Sequence, residues 1–319
     1  MAESRPPVLS VVLPVYNESA GLASFHDSLI KALSATKESY EIIYCDDGST
    51  DDTTKLIRAR CAKHPNIKLI RLSRNFGKEI AVTAGVHEAK GQAIITLDAD
   101  GQHPVELIPQ FVKHWQDGSK LVIGLRVSNQ KEGLVKRLGS KLFYKFFNRL
   151  TGMKLAPNAT DFRLIDQAIQ REFMRMTERN RITRGLIDWL GYDRDYIEFH
   201  ANPRLAGEAG YSFGKLFKLA IDSIISLSIS PLYISAYIGA VVLPVSVLLG
   251  LLMLINLIAG DPLHLHASGG AYLLVLVLFL VGTLLVSQGI IGLYLSHIHT
   301  ETQNRPLYIV DDDRSMNRD

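Results

Sequence analysis

Two carboxylates one residue apart follow a short apolar run in this sequence. The run AIITL ends at Leu97, and the segment DADGQHP (98–104) follows it directly. Side chains alternate faces along a strand, so Asp98 and Asp100 would point to one site, where like charges repel unless a cation lies between them. The pair therefore predicts a divalent metal site. For an isolated D-x-D pattern, a strand-ending turn or a helix cap is the alternative.

Composition limits the class of protein. The chain has 319 residues, of which 47% are hydrophobic, and this length suits one large domain or two ordinary ones. The net charge is only +3 and there is no compact basic tract, so no nucleic-acid partner is expected. Cys45 and Cys61 have no metal or redox spacing, which favours a reducing compartment. The N-terminus has no long apolar stretch before the first strand, which predicts no cleaved signal peptide.

The first 200 residues alternate strand-like and helix-like patterns. Five β-branched runs predict strands, namely LSVVLPVY, EIIYCDD, IKLIRLS, AIITLDAD and KLVIGLR. Helical patterns lie between them, at Gly21–Leu33, Thr53–Lys63 and Lys78–Ala89. Alternation of this kind is typical of right-handed crossovers, and it predicts an α/β, Rossmann-like domain with a mainly parallel sheet covered on both faces.

Polar clusters follow the predicted strands where each strand ends. They are Tyr16-Asn17-Glu18, Asp46-Asp47, Asp98-Ala99-Asp100 and Arg126. Ligands of such sheets bind at the carboxyl ends of the strands, so these clusters are expected to meet along one edge. The chain has neither G-x-G-x-x-G after the first strand nor G-x-x-x-x-G-K-[ST]. Dinucleotide oxidoreductases and P-loop NTPases therefore lose their main support.

The excess of apolar residues lies near the C-terminus. No Asp, Glu, Lys or Arg occurs between Asp222 and Asp261 or between Asp261 and Glu301. Each stretch exceeds the roughly 20 residues needed to cross a bilayer, which predicts transmembrane helices near 231–258 and 271–296. Lys and Arg lie on the outer flanks and not between the stretches. Both termini and the α/β domain are therefore expected on the cytoplasmic side of an inner (plasma) membrane that the chain crosses twice. Two buried helices of a soluble core are the alternative.

The remaining domain limits follow from composition. Residues 1–212 form the predicted N-terminal α/β domain, and 297–319 form a cytoplasmic tail. Residues 133–152 read as a basic helix with interleaved Leu, Phe and Tyr, and residues 213–230 as an amphipathic helix. Such helices favour a membrane surface. For the first of them, an ordinary amphipathic core helix is the alternative.

Four motifs carry a family resemblance that covers nearly the whole chain. VVLPVYNES, CDDGSTDDT, RNFGK and DADGQHP, in this order, resemble the inverting nucleotide-sugar glycosyltransferases with the GT-A fold. With the two C-terminal stretches, the chain is similar to polyprenyl-phosphate glycosyltransferases of the bactoprenol glucosyltransferase and dolichol-phosphate mannose synthase type. The resemblance implies a GT-A catalytic domain with interfacial helices and a two-helix transmembrane hairpin. It also implies a nucleotide-sugar donor, a polyprenyl phosphate acceptor and a divalent Mg²⁺ or Mn²⁺ ion.

The resemblance also implies roles on the donor side. The nucleotide sugar would be held by Pro14, Tyr16, Asn17, Glu18, Asp46, Asp47, Lys78 and Asp98. Asp100 would be the direct metal ligand, with Asp98 on the ribose and metal side and Gln102 as a neutral oxygen ligand. Ordinary turn chemistry for DDGS and a solvated Lys78 are the alternatives.

On the acceptor side, the resemblance assigns the lipid phosphate to Arg126, Arg137, Ser140 and Arg204. Paired hydrogen bonds from guanidinium groups suit phosphate oxygens. Asp161, in the segment TDFR rather than SGFR, matches the position of a catalytic base or orienting group. A phosphate monoester is largely ionised at neutral pH, so both roles stay open. Ala209 and Gly210 depart from the family's loop pattern, which puts phosphate contacts at these two positions in doubt.

The predicted function is transfer of one sugar, with inversion, from UDP-glucose to undecaprenyl phosphate in cell-envelope synthesis, with Asp100 and Asp161 as catalytic residues. A processive synthase is not expected, because Q-x-x-R-W is absent. A GDP-mannose or aminoarabinose donor is an alternative within the same class. A lipid-binding scaffold or flippase with a vestigial transferase domain, and a soluble glycosyltransferase with a glycan acceptor, are alternatives of other kinds. Homo-oligomerisation is left open.

Overall fold

The computed structural model describes most of the catalytic region and the C-terminal part of the chain. The residues it describes are 6–127, 158–179, 181–202 and 269–318, with the single positions 248, 251, 255 and 258. The chain forms two compact units. The first comprises Met1–Asn148, Met153–Tyr211 and Arg305–Asp319, and the second comprises Arg149–Gly152 and Ser212–Asn304.

Strands and helices alternate through the first unit, as the sequence predicts. The strands are β1 Leu9–Val15, β2 Tyr40–Asp46, β3 Ile67–Arg71, β4 Ala93–Thr96, β5 Leu121–Arg126, β6 Ala159–Asp166 and β7 Arg194–Phe199. Its helices are α1 Leu22–Thr36, α2 Thr53–Cys61, α3 Lys78–Glu88, α4 Ile108–Gln116, α5 Gln167–Arg175 and α6 Thr183–Trp189, with a short 3₁₀ helix at Val105–Leu107. Helix α7, Gly269–Thr302, lies in the second unit.

The seven described strands form one mixed sheet in the order β3-β2-β1-β4-β6-β5-β7. All neighbouring pairs are parallel except those made by β6, which runs antiparallel to both β4 and β5. The expected α/β, Rossmann-like architecture is therefore confirmed. Strands β6 and β7 were not predicted. Polar residues interrupt the apolar pattern of β6, where Thr160, Asp161 and Arg163 replace the β-branched runs seen in the other strands.

Both faces of the sheet are covered, because side chains alternate along each strand. In β1, Leu9, Val11 and Leu13 pack on one side with α1, α2 and α4, whereas Val12 packs on the other side with α3, α5 and α6. Helix α1 presents Phe25, Leu29 and their neighbours one turn apart to the sheet, which is the spacing of an amphipathic helix. The core thus fixes where each strand ends and where the loops that follow it begin.

Strand β4 is shorter than predicted, which corrects the argument for the acidic pair. It ends at Thr96, so Asp98 and Asp100 lie in the turn that follows and not on the strand itself. Strand alternation therefore does not orient their side chains. The imidazole of His103 instead accepts a hydrogen bond from the Asp98 N–H over 3.1 Å, and Gly101 turns the chain at a φ of 79°.

Helix α7 covers the second predicted membrane segment. The first segment, 231–258, lies outside the described residues except for isolated positions, as do the predicted surface helices 133–152 and 213–230. In the part of the chain that the structure describes, no helix has both the length and the apolar character that crossing a membrane requires. The two-helix hairpin is therefore not confirmed.

Candidate active site

A cavity of about 380 Å³ opens at the carboxyl ends of β1, β2 and β4, beside the start of α3. Its size is within the range of small-molecule sites in proteins. Its wall consists of Pro14, Val15, Tyr16, Glu18, Asp47, Asn75, Gly77, Lys78, Ala81, Asp98, Ala99 and Asp100. The polar clusters at the strand ends thus come together at one edge.

Two segments form one side of this cavity and are called here the paired loops. They are residues 16–19 after β1 and residues 47–54, which run from the end of β2 into the first turn of α2. The Asn17 side-chain oxygen accepts hydrogen bonds from the backbone N–H groups of Thr50 and Asp51. In return, the Asn17 N–H donates to the Ser49 hydroxyl over 3.0 Å, and the Glu18 N–H donates to the Thr53 hydroxyl over 2.9 Å. These reciprocal contacts fix the loops on each other.

Asp46 lies behind the paired loops and not in the cavity wall. Its side chain is fully buried and accepts hydrogen bonds from the Ser49 N–H at 2.8 Å, from the Thr54 hydroxyl and from Arg71 at 2.8 Å. Arg71 also donates to the Ser49 carbonyl over 3.1 Å. A buried carboxylate needs such donors to stay ionised. Asp46 and Arg71 therefore organise the loop, and Arg71 is a residue that the sequence analysis missed.

Asp47 does reach the cavity and also holds the loop before α3. Its two carboxylate oxygens accept from the N–H groups of Phe76 and Gly77 over 2.7 and 2.9 Å. Burial raises the pKa of Asp47, although these two hydrogen bonds oppose the shift. Gly48 has a φ of 75°, and a Cβ there would lie 2.7 Å from the Arg74 carbonyl carbon. Only glycine allows this close approach of the two loops.

The ammonium of Lys78, at the start of α3, bridges two carboxylates. It lies 2.6 Å from an oxygen of Asp98 and 2.6 Å from an oxygen of Asp161. Asp161 belongs to β6, and its carbonyl accepts from the Thr96 hydroxyl over 2.8 Å. Strand β6 runs antiparallel to β4 and next to it, which brings Asp161 close to the acidic turn, the turn after β4 that contains Asp98 and Asp100. These three residues, Lys78, Asp98 and Asp161, are called here the Lys78 cluster.

The charges in the Lys78 cluster shift each other's pKa. Burial by itself would raise the pKa of Asp161, but Lys78, with smaller contributions from Arg184 and Arg163, holds this pKa well below its usual range. Burial would lower the pKa of Lys78, and the two carboxylates more than reverse this, so the pKa of the lysine is raised. Lys78 and Asp161 are therefore both ionised at neutral pH.

A narrow cleft of about 10 Å³, room for about one water molecule, adjoins the cluster. Arg163 and Arg184 contribute to its wall, and the sequence analysis missed both. Arg163 is 2% exposed, pairs with Asp188 at 3.1 Å and donates to the Arg184 carbonyl, which fixes the start of α6. Arg184 itself is exposed beside Asp161. An Arg at a helix start carries no local signal that would have identified it.

The donor atoms at this edge fit a hard divalent cation. Asp98 and Asp100 line the same cavity, and carboxylate oxygens are the ligands that Mg²⁺ and Mn²⁺ prefer, with further oxygens taken from substrate phosphates. The described residues include no ready group of three or more His, Cys, Asp or Glu side chains arranged to hold a metal ion. A cation held by the carboxylates of Asp98 and Asp100 would have further positions open to substrate oxygens.

The remaining predicted residues lie elsewhere. Asn17 fixes the paired loops, and Gln102, whose carbonyl accepts from the Asn202 N–H, is outside the cavity wall. Arg126 ends β5 with an exposed side chain that lines neither cavity. The predicted phosphate ligands Arg137, Ser140 and Arg204 lie outside the described residues.

Fold and site together define an α/β enzyme with an acidic binding site at the carboxyl ends of its parallel strands. The chain belongs to glycosyl transferase family 2, because the model of that family matches residues 10–173. It is therefore a glycosyltransferase.

Similar proteins match over nearly the whole chain. An uncharacterized glycosyltransferase of Synechocystis sp. is 39% identical over 304 residues, 95% of each chain. A prophage-derived bactoprenol glucosyl transferase of Shigella flexneri is 35% identical over 95% of this chain and 97% of its own. A prophage bactoprenol glucosyl transferase homolog of Escherichia coli is 35% identical over 95% of this chain and 98% of its own. The resemblance to this group of glycosyltransferases is thus confirmed.

Proposed function

We propose that this enzyme transfers a single sugar, with inversion, from a nucleoside diphosphate sugar to a polyprenyl phosphate at the cytoplasmic surface of a membrane. UDP-glucose is the proposed donor and undecaprenyl phosphate the proposed acceptor. The names of the relatives in Shigella flexneri and Escherichia coli support this substrate pair. GDP-mannose and an aminoarabinose donor are the alternatives.

The observation that carries the proposal is the cavity in which Asp98, Asp100 and Lys78 come together. A group that leaves as a diphosphate develops negative charge, so its site needs cations held in fixed positions. Lys78 supplies one positive charge directly. A divalent ion held by Asp98 and Asp100 would supply Lewis-acid stabilisation of the same leaving group. The cavity wall between the paired loops and the acidic turn would hold the nucleoside.

Asp161 would orient the reacting groups and not act as a strong base. The acceptor phosphate is already largely ionised at neutral pH, and the lowered pKa of Asp161 makes this carboxylate a poor proton acceptor. In the proposed reaction, a phosphate oxygen of the lipid forms a bond to C1 of the sugar. The bond from C1 to the diphosphate oxygen breaks, and the nucleoside diphosphate leaves with the electron pair.

Lipid phosphate would bind next to Asp161, on the side lined by arginine. The exposed Arg184 beside Asp161 is available for such an anion, and Arg126, Arg137, Ser140 and Arg204 remain proposed contacts. Guanidinium groups suit phosphate because they form paired hydrogen bonds.

Attachment to the inner membrane through residues 231–258 and 271–296 belongs to the same proposal. These segments contain no acidic residue, Lys or Arg. In helix α7, the large apolar side chains of Leu273, Phe279, Leu284, Ile291 and Leu295 are exposed, and a lipid environment would cover them. Extraction of the full chain by detergent, but not by high salt or carbonate, is expected. Release by salt alone would refute membrane insertion.

The proposed reaction is tested with purified full-length protein, undecaprenyl phosphate and a panel of labelled sugar nucleotides. Mass spectrometry of the lipid product is expected to show one hexose per lipid, formed only with UDP-glucose and a divalent cation. Turnover with GDP-mannose alone would refute the donor, and full activity in excess chelator would refute the metal. Lipid binding without transfer from any donor would favour the scaffold or flippase.

The metal assignment is tested by Asp100→Asn, with Glu106→Gln as the matched control. Glu106 is an exposed carboxylate in the same segment and lies outside both cavities. Loss of metal electrostatics is expected to lower kcat about 100-fold or more. The control is expected to keep the activity of the unaltered enzyme. Full activity of Asp100→Asn would remove Asp100 from the site.

A further inference from the structure

The last residues of the chain pack on the sheet of the catalytic unit. Residues 305–318, called here the C-terminal segment, belong to this unit although they follow helix α7 in sequence. Leu69 of β3 exchanges two backbone hydrogen bonds with Met316, at 3.1 and 3.0 Å, and Leu72 forms a second antiparallel bridge with Val310. Strand β3 is at the edge of the sheet, so the segment covers backbone groups that would otherwise be open.

Side chains fix the end of the C-terminal segment. The Asn317 amide donates to the carbonyls of Cys61 and Ile67, at 3.0 and 2.7 Å, and so joins the segment to α2 and β3. Arg318 pairs with Glu88 of α3 at 2.7 Å. The segment therefore makes specific contacts with three elements of the fold.

The contacts of the C-terminal segment converge on Arg71. The Arg71 N–H donates to the Ser315 hydroxyl over 3.0 Å, and the Arg71 carbonyl accepts from the Asp311 N–H over 2.8 Å. The Ser315 hydroxyl also donates to the Asp311 carbonyl over 2.7 Å, and the Asp311 carboxylate lies 3.9 Å from the Arg71 Nε. Both backbone groups of Arg71 are thus held by the segment.

Arg71 passes this constraint to the paired loops. Its guanidinium contacts the Asp46 carboxylate, the Thr54 hydroxyl and the Ser49 carbonyl at the same time. Ser49 in turn holds the Asn17 N–H, between the cavity residues Tyr16 and Glu18. An unbroken series of hydrogen bonds therefore runs from the C-terminal segment to the wall of the cavity.

We propose that the C-terminal segment positions the nucleotide-binding half of the site, acting through Asp311, Ser315 and Arg71 on the paired loops. The inference rests on the proposed function, because it assigns nucleotide binding to that half. None of these three residues lines the cavity, so all three are positioning residues. Loosening the segment is expected to weaken nucleotide binding and to leave the Lys78 cluster intact.

The test is the double variant Asp311→Ala/Ser315→Ala in the full chain. Loss of the side-chain contacts to Arg71 is expected to raise the Kd for UDP and the KM for the sugar nucleotide about five- to tenfold, as expected for the loss of about one neutral hydrogen bond and of a long ion pair. At saturating donor, kcat is expected to stay within about twofold of the unaltered enzyme. Hydrogen exchange is expected to become faster at the amides of residues 47–54.

The matched control is Asp313→Ala, two residues along the same segment. The side chain of Asp313 is exposed and does not contact Arg71, so the UDP affinity and hydrogen exchange of this variant are expected to be unchanged. If the double variant is unstable, Ser315→Ala alone is expected to weaken UDP binding about two- to threefold. The inference would be overturned if neither the double variant nor Ser315→Ala bound UDP more weakly. It would also be overturned if the control variant lost as much UDP affinity as the double variant. If the unaltered enzyme binds neither UDP nor GDP, the proposed function fails first.

Discussion

The two halves of the candidate site are held by different forces. The paired loops rest on backbone and hydroxyl hydrogen bonds around one buried ion pair, Arg71 with Asp46, whose carboxylate is fully buried. The Lys78 cluster rests on one ammonium between two carboxylates, and its side chains are partly exposed, 42% for Lys78 and 31% for Asp161. The paired loops are thus held in place by hydrogen bonds, whereas the Lys78 cluster is held by the attraction between opposite charges.

This difference assigns the two halves different tasks. The hydrogen bonds of the paired loops are anchored on the buried carboxylate of Asp46, which favours one arrangement and suits recognition of a fixed shape such as a nucleoside. The ion pairs of the Lys78 cluster are partly open to solvent, so the charge of an incoming substrate can reach Lys78 and compete for it. We therefore expect changes in the Lys78 cluster to alter the rate of transfer, and changes behind the paired loops to alter affinity and stability.

Among the variants that separate the two halves of the site, Asp161→Asn is expected to have the largest effect, and this effect is on kcat. The amide keeps the shape but removes a charge that faces Lys78, and kcat is expected to fall about 100- to 1000-fold. The Kd for UDP, measured by calorimetry, is expected to change less than about twofold, because the paired loops do not contact Asp161. An equal loss of affinity and rate would show that the halves are not separate.

A smaller effect is expected from Lys78→Gln, and it concerns the dependence of kcat on pH, measured at saturating donor. In the unaltered enzyme the depressed pKa of Asp161 keeps it ionised, so its protonation does not limit the rate above about pH 5. Without the ammonium, burial raises this pKa and only Arg184 and Arg163 oppose it, so activity is expected to begin to fall at a higher pH than in the unaltered enzyme. The exposed Lys113→Gln is the control and is expected to keep the original profile. A profile of the same shape in both variants would contradict this coupling.

The smallest effect is expected on stability, at a buried histidine in the core of the first unit. His26 of α1 lies 2.7 Å from the hydroxyl of Tyr44 in β2, and burial lowers its pKa to about 4. The unfolded chain takes up this proton near pH 6.5, and the folded chain only near pH 4, so stability is fully present above pH 6.5 and is lost as pH falls towards 4. The loss is at most about 3 kcal/mol. Melting of His26→Gln is expected to depend less on pH in this range. An unchanged acid dependence in this variant would exclude His26 as the cause.

Much of the fold could be predicted from local patterns. Apolar periodicity placed the first five strands and the helices α1, α2 and α3 within a few residues of their observed limits. The acidic and polar clusters could be recognised in the sequence because each follows a β-branched run directly. Their charged residues and turn residues differ clearly from the apolar residues of the strand. Strand β6 was missed because Thr160, Asp161 and Arg163 interrupt its apolar pattern, and two of them, Asp161 and Arg163, line the narrow cleft.

The sequence by itself determined which side chains follow each strand, since strand and helix periods are local properties of neighbouring residues. Only the tertiary structure decided which of them meet. Lys78 and Asp161 are 83 positions apart and come together through an antiparallel strand that no local period announces. Arg71 and Ser315 are 244 positions apart, and their contact depends on an open sheet edge accepting a distant segment. Such contacts depend on the packing of the whole chain. The unpaired backbone groups at the edge of a sheet can pair with any segment that the fold places beside them, and no local sequence pattern specifies that segment.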